Sequence, residues 1–191
     1  MSFQPIETER LLLRSLKVED AEPFYDYRSD PEISRFQGWV PETVEDVRLF
    51  FQTQTPESFL VDEKWFQIGI EHKESSELVG DIGIRSFGRD FPQAELGISL
   101  TRNNQGQGFA QEALIALMDD LFGRGQIHRI LGSIDPRNVA SINLFERLSF
   151  RKEAHFVKSI WIRGEWVDDV IYAILREEWL SPGFKLEKKC V

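Results

Sequence analysis

The sequence predicts a mixed α/β fold: a central sheet of about seven strands, helices on both faces, and one parallel strand pair in otherwise antiparallel surroundings. Three observations predict it. Apolar residues alternate with period two over 65–72, 77–86 and 93–100, and again in two long runs flanking Arg163-Gly164. From Gly108 the period becomes helical, with Ala110, Ala113, Leu114, Leu117, Met118 and Leu121 on one face. That helix joins the strand Gln93 to Leu100 to the strand Arg129 to Asp135. Such a unit requires parallel neighbours and a right-handed crossover.

The elements follow in order. Arg10 to Leu16 (RLLLRSL) is a short apolar run, read as a strand. Val18 to Ser29 opens on acidic residues and spaces Ala21, Phe24, Tyr25 and Tyr27 as a helix does. Pro31, Gly38 and Pro41 break the next stretch into an aromatic loop. Thr43 then caps a second helix reaching Gln54, with Glu45 and Asp46 in its first turn. Trp65 to His72 and Glu77 to Ser86 form a hairpin about a polar ESSE turn, and Gln93 to Leu100 follows the FGRDFP turn. The helix from Gly108 ends at Gly123 and Gly125. After the strand Arg129 to Asp135 come a helix over Ala140 to Leu148, the two long strands, and a helical turn in REEW.

At 191 residues and 22.2 kDa the chain suits one domain, 1–180, followed by a charged tail, 181–191. With 41% hydrophobic residues, 15 Phe and 5 Trp, it is too rich in core-forming side chains to be disordered. The net charge of −9 argues against coating nucleic-acid phosphates. Acidity suits cationic partners such as amines, though it also serves solubility alone. Cys190, the single cysteine, excludes an internal disulfide and implies a reducing compartment. The N-terminus lacks a secretory pattern, and no run approaches the ~18 apolar residues that span a bilayer. A soluble, cytoplasmic protein without membrane or nucleic-acid partners is expected. His72, His128 and His155 show no ligand spacing, so no metal is expected either.

The chemistry concentrates in LTRNNQGQGFAQEAL. Gly106 and Gly108 let the backbone approach a ligand, and the helix that follows presents unpaired N–H groups to an anion. A pyrophosphate is the natural guest. A P-loop would need Gly-Lys-Ser/Thr, but Phe109-Ala110 follows Gly108. A dinucleotide fingerprint would need a third glycine, but Gln111 stands there. The remaining pattern, Gln/Arg-x-x-Gly-x-Gly/Ala, is matched by Gln105, Gly108 and Ala110.

With this loop the sequence resembles the GNAT superfamily of N-acetyltransferases. ETERLLLRSLKVEDAEPFYDYRSDPEISRF, DPRNVASINLFERLSF, EAHF and GEWVDDVIYAILREEW are similar to its RimJ/RimL-like branch, the ribosomal-protein N-terminal acetyltransferases and their relatives. The resemblance runs from about Glu7 to Trp179. It implies a GNAT-like fold and acetyl-CoA as acetyl donor, with the pyrophosphate on the backbone of Gln105, Gly106, Gln107, Gly108, Phe109 and Ala110. It also implies that the strand Leu96 to Leu100, through Ile98, Ser99 and Leu100, pairs with the pantetheine amides much as an added strand would. That strand splays from Arg129 to Asp135 in the family, leaving a slot for the thioester. Asn138 and Ser141 match the family's Asn-x-x-Ala/Ser element, although Ser141 also suits a helix N-terminus. Where many relatives carry a Tyr as thiol acid, this chain has Phe145, placed against the cofactor but without a hydroxyl. A thiol of pKa ~8.5 leaves tolerably without an acid. The Rim-type branch often lacks this Tyr, and the resemblance implies that a serine such as Ser141 stabilises the thiolate there.

Glu95, two residues before Gly97 on the same strand, is the candidate base that drains a proton from the attacking amine through water; the alternative is an exposed strand carboxylate. A backbone N–H of that strand would polarise the carbonyl. No acyl-enzyme nucleophile motif exists, so direct transfer in a ternary complex is expected. For the acceptor, the resemblance points to the first two helices, their loop and the last hairpin. Tyr25, Phe36 and Trp39 would then hold a cationic amine beside Asp26, Asp30 and Glu32, unless these aromatics are core. The acceptor is a primary amine: a protein N-terminus, or a polyamine, amino acid or aminoglycoside. A non-catalytic acyl-CoA-binding module is the alternative from another class, kept open by Phe145. Self-association through the sheet edges or C-terminal strands is compatible with the sequence, which sets no stoichiometry.

Overall fold

The structure is a computed structural model and describes residues 2–61, 63–88, 92–125 and 127–184. Cys190 and all but the first four residues of the expected tail lie outside the described residues. The strands are β1 (Ile6–Glu7), β2 (Leu11–Ser15), β3 (Trp65–His72), β4 (Leu78–Phe87), β5 (Gln93–Leu100), β6 (Arg129–Ile134), β7 (Arg151–Ile162) and β8 (Glu165–Leu175). The helices are α1 (Ala21–Ser29), α2 (Pro31–Ser34), α3 (Val44–Gln52), α4 (Phe109–Gly123), α5 (Val139–Arg147) and α6 (Arg176–Leu180). The strands form one mixed sheet in the order β1-β2-β3-β4-β5-β6-β8-β7, flanked by helices. Only β5 and β6 pair in parallel among the described pairings. The expected class of fold is therefore the observed one. The sheet has eight strands rather than seven, because the two-residue β1, too short for any periodicity, pairs Ile6 with Leu13.

The chain divides into two compact units, Met1–Ser86 with Gly97–Ala116, and Phe87–Leu96 with Leu117–Val191. In the first, Ala21, Phe24 and Tyr27 of α1 pack with Val47 and Phe51 of α3 and with Leu78, while Phe3, Phe59 and Phe66 form a second aromatic cluster. Thr43 caps α3: its hydroxyl accepts from the Asp46 N–H at 3.2 Å, and Asp46 accepts from the Thr43 N–H at 2.8 Å. The helix expected from Val18 begins instead as a 3-10 turn, Val18–Asp20. There the buried Asp20 accepts two bonds from Arg14, at 2.7 and 2.8 Å, and one from the Lys17 N–H. The expected aromatic loop contains α2, started by Asp30 as N-cap and Pro31 in its first turn. Gly80 permits β4 to pass the end of β5, since a Cβ there would lie 2.2 Å from the Ser99 carbonyl oxygen.

In the second unit β6 pairs antiparallel with β8 along its whole length, Arg129↔Leu175 to Ile134↔Val170. Arg163 and Gly164, both at positive φ, turn β7 into β8. The helix α5 ends in a Schellman motif: the Ser149 N–H bonds to the Glu146 carbonyl and the Phe150 N–H to the Phe145 carbonyl. Trp179 of α6 is fully buried, stacks near Phe122, and donates its indole N–H to Asp119 at 2.8 Å. No helix among the described residues is long and apolar enough to cross a membrane.

Candidate active site

The segment between β5 and α4 starts with a 3-10 turn, Arg102–Asn104, that turns the chain out of the sheet. Gln105 anchors it by donating its side-chain amide to the Leu100 carbonyl at 3.1 Å, and Gln107 does the same to the Asn103 carbonyl at 2.6 Å. Gly106 and Gly108 sit at φ +73° and +82°, in the left-handed region that L side chains avoid. A Cβ on Gly106 would meet nothing within 4 Å, so open space faces it. The Glu112 N–H bonds to the Gly108 carbonyl and starts the helix, while the N–H groups from Gly106 to Gln111 find no acceptor among the described residues. Six consecutive donors, exposed bare backbone and the positive end of a fifteen-residue helix together fit the pyrophosphate of acetyl-CoA. Phe109 alone faces inward; it is buried, with its ring 5.4 Å from His72.

Two residues that sequence reasoning passed over brace this loop. Arg10 donates through Nε to Glu112 Oε2 at 2.8 Å and through Nη1 to the Gln107 carbonyl at 3.1 Å, with its guanidinium carbon 4.6 Å from the Phe109 ring centre. The other Glu112 oxygen accepts the Thr8 hydroxyl at 2.6 Å and the Arg10 N–H at 2.9 Å. Burial alone would push the Glu112 carboxyl up; these donors outweigh it and hold it below the usual carboxylate range. The only sequence signal was the carboxylate itself: an acid in the first turn of a helix expected to face an anion calls for a neutralising partner.

On the strand side of the same unit, Gly97 is exposed, Ile98 half-buried, and Ser99 and Leu100 buried. The Ser99 hydroxyl accepts from the Gln37 amide at 3.0 Å, and Gln37 in turn accepts from Arg28 Nη1 at 2.9 Å. Arg28 is buried and bonds Asp81 through both Nε and Nη2, and the Tyr27 hydroxyl donates to Asp81 at 2.7 Å. Burial pushes the Tyr27 hydroxyl well up, and the Asp81 charge adds to it. For Arg28, burial works against the charge and Asp81 restores it. Asp30 is held by Arg102 at 2.5 and 2.6 Å, and the guanidinium with the Glu32 N–H brings its carboxyl down to about 2.

Of the expected acceptor residues, Tyr25 donates its hydroxyl to the Glu42 carbonyl at 3.2 Å, and Phe36 lies beneath the Arg35 guanidinium. Trp39 is 41% exposed and stacks on Phe50 with ring centres 4.9 Å apart.

In the second unit Glu95 is half-buried, and its pairing with Leu131 is the last of the three parallel pairs, which begin at Gln93↔Arg129. Asn138 is the N-cap of α5, its carbonyl oxygen accepting the Ser141 N–H at 3.1 Å. The capping role weighed for Ser141 thus falls to Asn138. The Ser141 hydroxyl is half-buried and makes no hydrogen bond among the described residues. Phe145 is 1% exposed, stacked edge-on against Phe150 at 4.7 Å. No cluster of metal-ligating side chains occurs among the described residues.

Residues 10–151 match the family described as the acetyltransferase (GNAT) domain, and the chain belongs to that family. It is accordingly an acetyl-CoA-dependent N-acetyltransferase. It is 33% identical to an uncharacterised N-acetyltransferase, p20, of Bacillus licheniformis over 93% of this chain and 99% of that one. It is 32% identical to the [ribosomal protein uS5]-alanine N-acetyltransferase of Escherichia coli, over 62% of this chain and 61% of that enzyme. Among solved structures, a GNAT-family acetyltransferase from Bacillus anthracis superposes with a TM-score of 0.81 at 28% identity, covering 92% and 100% of the two chains. The spermidine N-acetyltransferase of Vibrio cholerae in complex with CoA and spermine shares the fold at a TM-score of 0.77 and 21% identity, covering 91% and 100%.

Proposed function

We propose that this enzyme acetylates the α-amine of a protein N-terminus, by direct transfer in a ternary complex. The observation that carries the donor half is the row of unbonded N–H groups from Gly106 to Gln111 over two left-handed glycines. Acetyl-CoA, bound there, supplies the acetyl thioester. Gln105 to Ala110 hold the pyrophosphate, and the backbone of Ile98 to Leu100 aligns the pantetheine arm. Glu95 takes the ammonium proton through water, and the unbonded hydroxyl of Ser141 steadies the departing sulfur while Phe145 supplies apolar packing.

The acceptor half rests on charge. A polyamine needs several uncommitted carboxylates, and of the three expected beside the acceptor, Asp26, Asp30 and Glu32, Asp30 is committed to Arg102. Tyr25 and Phe36, both half-buried, and the exposed Trp39 would each offer an aromatic face to a single amine and its flanking side chain. An α-amine of pKa ~8 also needs little help to lose its proton at neutral pH, unlike a lysine at ~10.4. The relative that acts on ribosomal protein uS5 points the same way.

The test begins with calorimetric titration of acetyl-CoA into wild type and Gly108→Val. One-to-one binding that the variant loses supports the loop. A thiol-release assay then compares N-terminal peptides with spermidine and free amino acids. Faster turnover of spermidine would overturn the N-terminal acceptor, and binding of acetyl-CoA without thiol release in the presence of any amine would favour a non-catalytic acyl-CoA-binding module. In Glu95→Gln the turnover number should fall by about 10² with donor affinity unchanged; an unchanged rate removes Glu95 as the base.

A further inference from the structure

We infer that Arg10 is a positioning residue for the acetyl donor: it sets the orientation of the pyrophosphate loop and cancels the Glu112 charge beside it. The inference rests on the reading of Gln105 to Ala110 as the pyrophosphate cradle.

The argument is geometric. A trans peptide points its C=O and N–H in opposite directions. The Gln107 carbonyl and the Gly108 N–H belong to one peptide unit. By drawing that carbonyl to its Nη1 at 3.1 Å, Arg10 turns the Gly108 N–H outward, away from the guanidinium. Gly108 lies so near that a Cβ there would come within 3.4 Å of Arg10 Nη2. The guanidinium is itself fixed from two sides: by Glu112 Oε2 through Nε and Nη2 at 2.8 and 2.7 Å, and by the Phe109 ring below it.

Electrostatics requires the same residue. Glu112 sits in the first turn of α4, where its charge would repel a pyrophosphate approaching the helix end. Its two oxygens instead receive the Thr8 hydroxyl, the Arg10 N–H and the Arg10 fork, so the pair presents no net charge to the donor. Arg10 and Thr8 are about a hundred residues from this helix in sequence, so the clasp is a property of the fold alone.

The experiment compares CoA with pantetheine, which lacks the pyrophosphate, by calorimetry on the full chain. For Arg10→Met the dissociation constant for CoA should rise about tenfold, the value of one charge-assisted contact, while that for pantetheine stays at the wild-type value. Equal affinity of wild type and variant for CoA overturns the inference. So does equal weakening toward both ligands, which would mean a general disturbance of the fold. If Arg10→Met loses its thermal unfolding transition, Arg10→Lys is measured in its place. It keeps the cation but not the fork, and must again weaken CoA alone. A wild type that binds CoA no better than pantetheine would instead refute the cradle itself, and the inference with it.

Discussion

The ring of Phe145 lies directly over the bare backbone of Gly132: a Cβ built on Gly132 would sit 2.4 Å from one ring carbon and 2.6 Å from another. The contact joins the middle of β6 to α5 and explains why a glycine stands between Leu131 and Ser133. Because Phe145 is boxed in by Phe150, it cannot swing aside. Gly132→Ala should therefore destabilise the protein by about 2 kcal/mol, a typical overpacking cost. Urea unfolding measures it. Adding Phe145→Leu to that variant should recover about 1 kcal/mol, because the shorter side chain vacates the space the new methyl needs.

The end of α5 offers a change in the opposite direction. Ser149 occupies the left-handed C′ position of the Schellman motif at φ +63°, exposed to solvent. A Cβ in that conformation is strained by roughly 1–2 kcal/mol. Glycine removes the strain but enlarges the entropy of the unfolded chain. Ser149→Gly should raise stability by about 0.5–1 kcal/mol, visible as a higher Tm, with activity unchanged.

The strands β3 and β5 were legible to the residue because alternation is a local event. The glycine turn before α4 was legible for the same reason, since Gly106, Gly108 and the helix start at Phe109 are close neighbours in sequence. The clasp of Arg10 on Glu112 and the bond from Gln37 to Ser99 were not, being contacts across 102 and 62 residues that no pattern announces. The helix α2 is illegible for a different reason: a proline breaks a helix in its interior, but Pro31, directly after the Asp30 cap, starts one.

Asp30 links acidity to the loop that carries Phe36 and Trp39. Its carboxyl is lowered to about 2 by Arg102, against ~3.9 in an unfolded chain. The folded form thus binds the proton more weakly, and the contribution is fully present above the unfolded value and lost as the pH falls through about 2. Asp30→Asn should be less stable than wild type by a constant margin above pH ~4, and the margin should shrink to nothing between pH ~4 and ~2. Parallel urea titrations across that range measure the margin directly. A margin that persists undiminished at the acid end would mean that the ion pair with Arg102 is not its source.

The Arg28–Asp81 pair behaves differently because water does not reach it. Both side chains are buried, and each is saturated: Asp81 accepts from Arg28 and from the Tyr27 hydroxyl, while Arg28 also donates to Gln37. Removing either charge leaves the other stranded in the interior, so Arg28→Met and Asp81→Asn should each cost about 3–5 kcal/mol. Removing both charges at once, in Arg28→Met/Asp81→Leu, strands neither and should be markedly more stable than the sum of the singles. What the double variant cannot restore is the donor to Gln37, whose other end holds Ser99 on the strand proposed to align the pantetheine arm. Its stability and its catalysis should therefore separate: unfolding close to wild type, with a raised KM for acetyl-CoA. Unchanged kinetics in a stable double variant would show that the network serves folding alone.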